Sequence, residues 1–219
     1  MSNIIMTSIE TKSVNTFYKK NASNFSKTRV NPWPSTIEFI NSLPPNSKVL
    51  DIGCGNGRNL FYRSDIDIIG LEMSQELCDI VTKKGGHVIQ GNMIDLPFEN
   101  NTFDYIICIA VYHHLDNVKD RQQALNEMYR ILKPEGKVFI QVWAMEQPLN
   151  SKRKFMKRDE FVSWKNKEMN GQYTTLYRYY RIYPKGELEA EIEKYVPKFN
   201  IDAIKYEAGN WINILTKIL

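Results

Sequence analysis

Two adjacent histidines, His113 and His114, end the apolar stretch "IAVYHHLD" (109–116) in a chain of 219 residues that holds only three histidines. Imidazoles placed where a buried strand opens into a loop can ligate a metal, remove a proton, donate a hydrogen bond to a substrate, or simply pack. Metal ligation needs further ligands at a matching spacing, and no Cys/His cluster accompanies the pair. A general base suits a hydroxyl or amine acceptor. A carboxylate acceptor is already ionised at neutral pH and needs only donors that align it.

A second set of residues points to a nucleotide-like cofactor. "DIGCGNG" (51–57) has its glycines spaced G-x-G-x-G, unlike the G-x-G-x-x-G of dinucleotide loops. S-adenosylmethionine has no pyrophosphate to seat; its methionine end needs close backbone approach and a carboxylate near its ammonium. Gly53, Cys54, Gly55 and Gly57 allow the approach, and Asp51 supplies the charge. Glu72 follows 21 residues later, where a carboxylate can accept ribose hydroxyls. Asn92, in "GNMIDLPF" (91–98), can contact the adenine amino group.

These residues must be held by alternating elements. Lys48–Ile52, Ile68–Glu72, His87–Gln90, Tyr105–Ala110 and Lys137–Trp143 read as buried strands. Gly57–Tyr62, Ser74–Lys84 and Lys119–Leu132 carry helical periodicity, Ser74 starting the second and "KPEG" (133–136) stopping the third. Asn200–Glu207 and Trp211–Ile218, joined by "AGN", read as an antiparallel hairpin. The expected fold is α/β: a seven-stranded, mainly parallel, Rossmann-like sheet closed by that hairpin, the architecture of class I methyltransferases. One methyltransferase domain over 1–219 is expected, with residues 144–185 as an insertion.

Charge distinguishes that insertion. The chain carries +4 net, but residues 144–185 hold ten Lys or Arg against four Asp or Glu, leaving the remainder at −2. Such a block favours an anionic partner, although charge runs also serve as solvated faces. "SKRKFMKR" (151–158) and "YRYYRIY" (177–183) interleave cations with aromatics, a composition suited to phosphates and unpaired bases. Tyr177, Tyr179 and Tyr183 could equally pack as core on one strand face. No apolar run is long enough for a bilayer span, the N-terminus lacks a signal-peptide pattern, and three scattered cysteines suggest buried thiols in a reducing compartment. The expected location is the cytoplasm, with a nuclear pool allowed and no membrane partner.

Several segments go further. "YKKNASNFSKTRVNPWP" (18–34), "IGCGNGRN" (52–59), "IAVYHH" (109–114), "VWAMEQ" (142–147), "EFVSW" (160–164), "RYYRIYPKGELE" (178–189) and "GNWINIL" (209–215) resemble the eukaryotic tRNA methyltransferases that esterify the carboxymethyl group of wobble uridine. "EMS" (72–74) stands where that family often reads "DRS", and the insertion is shorter. The resemblance implies methyl transfer from S-adenosylmethionine to the carboxylate of 5-carboxymethyluridine in tRNA. It also implies a heterodimer with a small zinc-binding activator subunit, for which "HVIQ" at a sheet edge offers strand addition. It adds Tyr18, Met73, Met93 and Ala110 to the cofactor site. On the acceptor side it places Trp33, Trp143, Glu146, Gln147, Lys152, Arg153, Lys154 and Arg178. Arg29 becomes the carboxylate anchor, since a guanidinium grips a carboxylate bidentately, and His113 and His114 the remaining catalytic candidates, His113 first. A small-molecule methyltransferase and a non-catalytic, cofactor-binding RNA scaffold stay open as alternatives.

Overall fold

A computed structural model of the chain describes residues 9–28, 31–167 and 173–219. Its main sheet has seven strands: β1 (Lys48–Ile52), β2 (Asp67–Glu72), β3 (Val88–Gln90), β4 (Phe103–Ile109), β5 (Leu132–Trp143), β8 (Phe199–Glu207) and β9 (Asn210–Lys217). Their order is β3-β2-β1-β4-β5-β9-β8. The first five run parallel, and β9 joins β5 and β8 antiparallel. The chain leaves β1 towards β3, then returns to the other side of β1 as β4. The crevice at the carboxyl ends of β1 and β4 is therefore the switch point where such sheets take ligands.

Period-2 alternation explains why the central strands read as unbroken apolar runs. Leu50, Ile52, Ile106, Cys108, Val138 and Ile140 pack on one face with α4 (Val118–Ile131) and α5 (Glu187–Tyr195). Val49, Ile107, Ile109 and Phe139 pack on the other with α2 (Pro34–Ser42) and α3 (Gln75–Lys83). With both faces covered, nearly every strand residue is buried, each large aliphatic or aromatic contributing about 1.5–3 kcal/mol. Both crossover helices start on side-chain caps. Ser74 accepts from the Leu77 amide and Asn117 from the Asp120 amide.

The structure alters several expected elements. Residues 57–62 form successive turns, not a helix, because Gly57 sits at φ 77° and the amides of Leu60 and Tyr62 bond only three residues back. "KPEG" follows the end of α4 as expected but belongs to β5, which starts at Leu132. β4 stops at Ile109, since Ala110 turns to φ 58°. The C-terminal hairpin closes through Ala208 and Gly209, φ 47° and 82°, two left-handed residues whose turn matches the right-handed twist of the flanking strands. Unanticipated are α1 (Ile9–Thr28), α2, α5 and a separate two-stranded ribbon of β6 (Asp159–Lys167) and β7 (Tyr173–Arg181) within the basic segment. Of the three tyrosines on the suggested strand face, Tyr179 and Tyr183 are buried, Tyr183 lies beyond the strand, and Tyr177 is exposed.

Candidate active site

A cavity of about 530 Å³ opens at the switch point, walled by the loops after β1, β2, β3 and β4, by α1, and by the ends of β5 and β7. Asp51, Gly53, Cys54, Gly55, Glu72, Met73, Asn92, Met93, Ala110 and Tyr18 all line it. Gly57 does not. It sits at φ 77°, and a Cβ there would crowd Val81 and Phe61, so its part is to shape the loop. Gly53 also needs a different explanation from ligand approach alone. It sits at φ 66°, and a Cβ there would lie 2.2 Å from Cγ2 of Val111, the residue after the β4 exit. The glycine thus locks the β1 and β4 loops together.

The two carboxylates of this wall differ. Asp51 is buried, accepts from Asn59 Nδ2 at 3.0 Å, and has its pKa raised to about 7. Burial is the largest cause, opposed by the Asn59 bond and the Arg58 charge. A buried carboxyl held this way gains from an incoming ammonium. Glu72 accepts at Oε1 from the amides of Met73 (2.8 Å) and Ser74 (3.0 Å), and at Oε2 from Gly55 (3.0 Å). Burial still raises its pKa against those bonds. Oε2 keeps a lone pair for a hydroxyl, so Glu72 both ties the β1 loop to β2 and faces the cavity. Asn92 Oδ1 accepts weakly from the Ile94 amide at 3.3 Å, leaving acceptor capacity.

The opposite wall is aromatic and cationic. His113 and His114 sit on a single 3-10 turn (Tyr112–His114), both buried and both lining the cavity. Tyr112 Oη donates to Glu191 Oε2 at 3.1 Å, while Arg121 pairs with Glu191 Oε1 at 2.9 Å and donates to the carbonyls of Leu115 and Asp116. This buried network fixes the turn from both sides.

The two imidazoles hold opposite tautomers. His113 Nδ1 accepts from the Trp143 amide at 3.1 Å, which places its proton on Nε2, a buried atom that makes no hydrogen bond of good geometry; the Ala110 backbone beside the ring partly opposes the lowering of its pKa. His114 Nδ1 lies 2.8 Å from the Tyr179 carbonyl and donates to it, so Nε2 accepts from Tyr18 Oη at 3.4 Å. Burial pushes both pKa values down, that of His114 to about 3, with the Arg178 charge adding to the shift in each. Neither ring is charged near neutral pH, and the only spare function on the pair is a donor, His113 Nε2–H.

Arg178 completes this wall. Its guanidinium is buried, 4.0 Å from the Phe17 ring centroid, and donates from Nη1 to Tyr18 Oη at 3.2 Å. Its Nε–H has no partner, and among the described residues no carboxylate pairs with it. Trp143 stacks on Tyr180 with centroids 4.0 Å apart and planes within 4°, and Arg153 lies 4.3 Å over Trp143. Trp33 and Gln147 also line the cavity, Gln147 Nε2 donating to the carbonyls of Ala144 and Gly209. Glu146 instead turns away, accepting from Trp211 Nε1 and the Lys185 amide. Lys152 and Lys154 lie outside the lining. Arg29 falls outside the described residues. Tyr180, Arg58 and the Ala208–Asn210 turn also line the cavity and were missed; for Tyr180 the signal was its place beside Arg178 in "RYY".

Comparison with known proteins agrees with this geometry. The model of the family "Methyltransferase domain" matches residues 50–140. A tRNA (carboxymethyluridine(34)-5-O)-methyltransferase of Schizosaccharomyces pombe (strain 972 / ATCC 24843) is 34% identical over 95% of this chain and 97% of its own length. This chain belongs to the tRNA carboxymethyluridine methyltransferase family. The ALKBH8 enzyme of Mus musculus, bearing the same activity in its name, is 38% identical over 76% of this chain. The chain spans only 25% of that mouse relative and 41% of the Xenopus tropicalis one. Among solved structures, the CcbJ methyltransferase from Streptomyces caelestis superposes with a TM-score of 0.74 at 12% identity, covering 94% of this chain and 99% of that one. The complex between the Haloferax volcanii Trm112 methyltransferase activator and a methyltransferase gives 0.69 at 15%, covering 94% and 98%. At such identities these structures establish the class I methyltransferase fold.

Proposed function

We propose that this chain transfers a methyl group from S-adenosylmethionine to the carboxylate of 5-carboxymethyluridine at the wobble position of tRNA, forming the methyl ester. The observation that carries this reading is the pair of buried, unpartnered donors, His113 Nε2–H and Arg178 Nε–H, lining one cavity with the glycine loop. Buried donors without partners cost stability unless a ligand satisfies them. A cation and a neutral donor side by side suit an anion that is already nucleophilic.

The residues of the opposite wall fit the donor. Asp51 would hold its ammonium, Glu72 its ribose hydroxyls, and Asn92 its adenine. When bound, S-adenosylmethionine supplies an electrophilic methyl group on a sulfonium sulfur. Arg178 and His113 orient the acceptor carboxylate, and the aromatic surround excludes water and strengthens their hold. Because esterification removes the acceptor's negative charge, the product loses its attraction to Arg178 and is released. The basic run 151–158 would neutralise tRNA phosphates, with Lys152 and Lys154 acting outside the cavity. The short edge strand β3 would take a small zinc-binding activator subunit by strand addition; the Haloferax volcanii neighbour, itself in complex with a Trm112 activator, supports the partner. Three free, buried cysteines fit a cytoplasmic setting.

Single-turnover assays with two tRNAs, one bearing carboxymethyluridine and one its carbamoylmethyl counterpart, test this function. Transfer to the acid alone is expected; equal transfer to both, or to neither, would refute it.

A further inference from the structure

The ribbon has two faces, and only one belongs to the cavity. Antiparallel pairing sets Phe161 opposite Tyr179, Ser163 opposite Tyr177 and Lys165 opposite Thr175. Arg178 and Tyr180 project from β7 into the cavity wall, and Trp164 packs near Phe17 on α1. Alternation therefore sends Phe161, Tyr173 and Tyr177 to the other side, where they are 50%, 65% and 55% exposed. Three exposed aromatics on one face of a narrow ribbon are costly to leave in water unless something covers them.

We propose that this outward face is a stacking platform for unpaired nucleotides that flank the acceptor base in tRNA. The proposal rests on the preceding reading that the acceptor is a base within RNA. Charge selects nucleic acid over an apolar partner. Residues 151–181 carry nine Lys or Arg against three Asp or Glu, and Lys165 is exposed on the platform itself. Spacing selects unstacked bases over a duplex. Strand rise puts Tyr173 and Tyr177 about 13 Å apart, and Phe161 lies diagonal to Tyr177 at about 7 Å. Both separations exceed the ~3.4 Å step of stacked bases, so each ring would take one splayed base. Continuity with the cavity gives the platform its role: the reverse of the same strand holds Arg178, so a loop gripped outside is held in register with the base presented inside.

The test is fluorescence anisotropy of the full chain with an anticodon stem–loop, run beside methyl transfer to the whole tRNA. Phe161→Ala and Tyr177→Ala should each weaken binding about tenfold, Tyr173→Ala by a similar or smaller factor, and Tyr177→Phe not at all. Cofactor affinity should stay at the wild-type value, and only Phe161→Ala, whose ring packs edge-on against Tyr179, should lower the melting temperature slightly. A triple alanine variant that binds with full affinity would overturn the proposal. So would variants that keep tRNA affinity but lose association with the activator subunit, which would make the face a protein interface. The two readings fail separately. A chain that binds the stem–loop through these rings yet methylates no carboxymethyluridine would sink the function and leave the platform standing. Full kcat/KM in the triple variant would do the reverse.

Discussion

The two walls of the cavity are made of different material. The cofactor wall is mostly backbone and short side chains, from loops that each follow a strand: residues 51–55, 72–73 and 91–93. The acceptor wall is mostly large side chains gathered from distant places: Tyr18 on α1, expected with the cofactor but bonded to Arg178 and His114, the two histidines on the 3-10 turn, Trp143 at the end of β5, and Arg178 and Tyr180 on β7. The first wall is fixed by the hydrogen-bond pattern of the sheet. The second is fixed by packing, with cation–π contacts holding Arg178 and one buried ion pair behind the turn. On the proposed function, the cofactor is held by the first wall and substrate choice resides in the second.

If that division holds, substitutions should separate cleanly by wall. The largest effect is expected at Gly53→Val, which should abolish cofactor binding, since its Cβ must displace Val111 from a residue at φ 66°. Gly53→Ala combined with Val111→Ala should recover part of the affinity by calorimetry. No recovery would mean that the positive φ of Gly53 or the ligand's approach, and not the contact with Val111, sets the requirement for glycine.

Next comes Arg178→Ala, expected to lower kcat/KM about 10²-fold or more while cofactor affinity stays within twofold. Arg178→Lys should not rescue it, because a lysine cannot reproduce both the Nε–H donor and the stacked plane on Phe17. A parallel loss of cofactor affinity would erase the distinction between the walls.

A smaller effect should appear in the pH dependence of cofactor binding. Asp51 in the free protein titrates near pH 7, and a bound ammonium favours its ionised form. Binding therefore releases a proton below that pH, and affinity should fall about tenfold per unit as pH drops below 7. Above it the affinity should level off. Asp51→Asn should flatten the profile. Calorimetry in buffers of different ionisation enthalpy measures both, and a wild-type profile already flat from pH 5 to 8 would contradict the assignment.

The same division governs what was legible in the sequence. The strands, the glycine loop and the carboxylate of Glu72 are readable because each rests on local pattern. Short unbroken apolar runs give the strands, and position after a strand gives the loops. Helix 57–62 was misread because apolar spacing outweighed the positive φ of Gly57. The acceptor wall is legible only as residue types. Nothing local says that Tyr18 lies between Arg178 and His114, that Glu146 turns away to Trp211, or that β7 sends alternate tyrosines to opposite sides. The helix α1 that brings Tyr18 there has only a weak apolar stripe, so tertiary packing and not local pattern defines it. Neighbouring histidines with opposite tautomers are likewise invisible until the Trp143 amide and the Tyr179 carbonyl are in place.

The central claim, that the acceptor wall orients a carboxylate and removes no proton, is tested most directly by single-turnover methyl transfer from pH 6 to 9 in wild type, His113→Gln and His113→Asn. Glutamine can place an N–H near the position of Nε2. Asparagine reaches only the position of Nδ1, where it satisfies the Trp143 amide and leaves the carboxylate without its donor. With cofactor held saturating at every pH, the account predicts rates independent of pH through the histidine range, with glutamine keeping much of the activity and asparagine resembling alanine. Because burial already keeps His113 neutral across this range, the deciding result is the glutamine variant: activity lost there as fully as in the asparagine variant, with cofactor affinity retained, would show that His113 does more than donate a hydrogen bond, and its role in orienting a carboxylate would have to be abandoned.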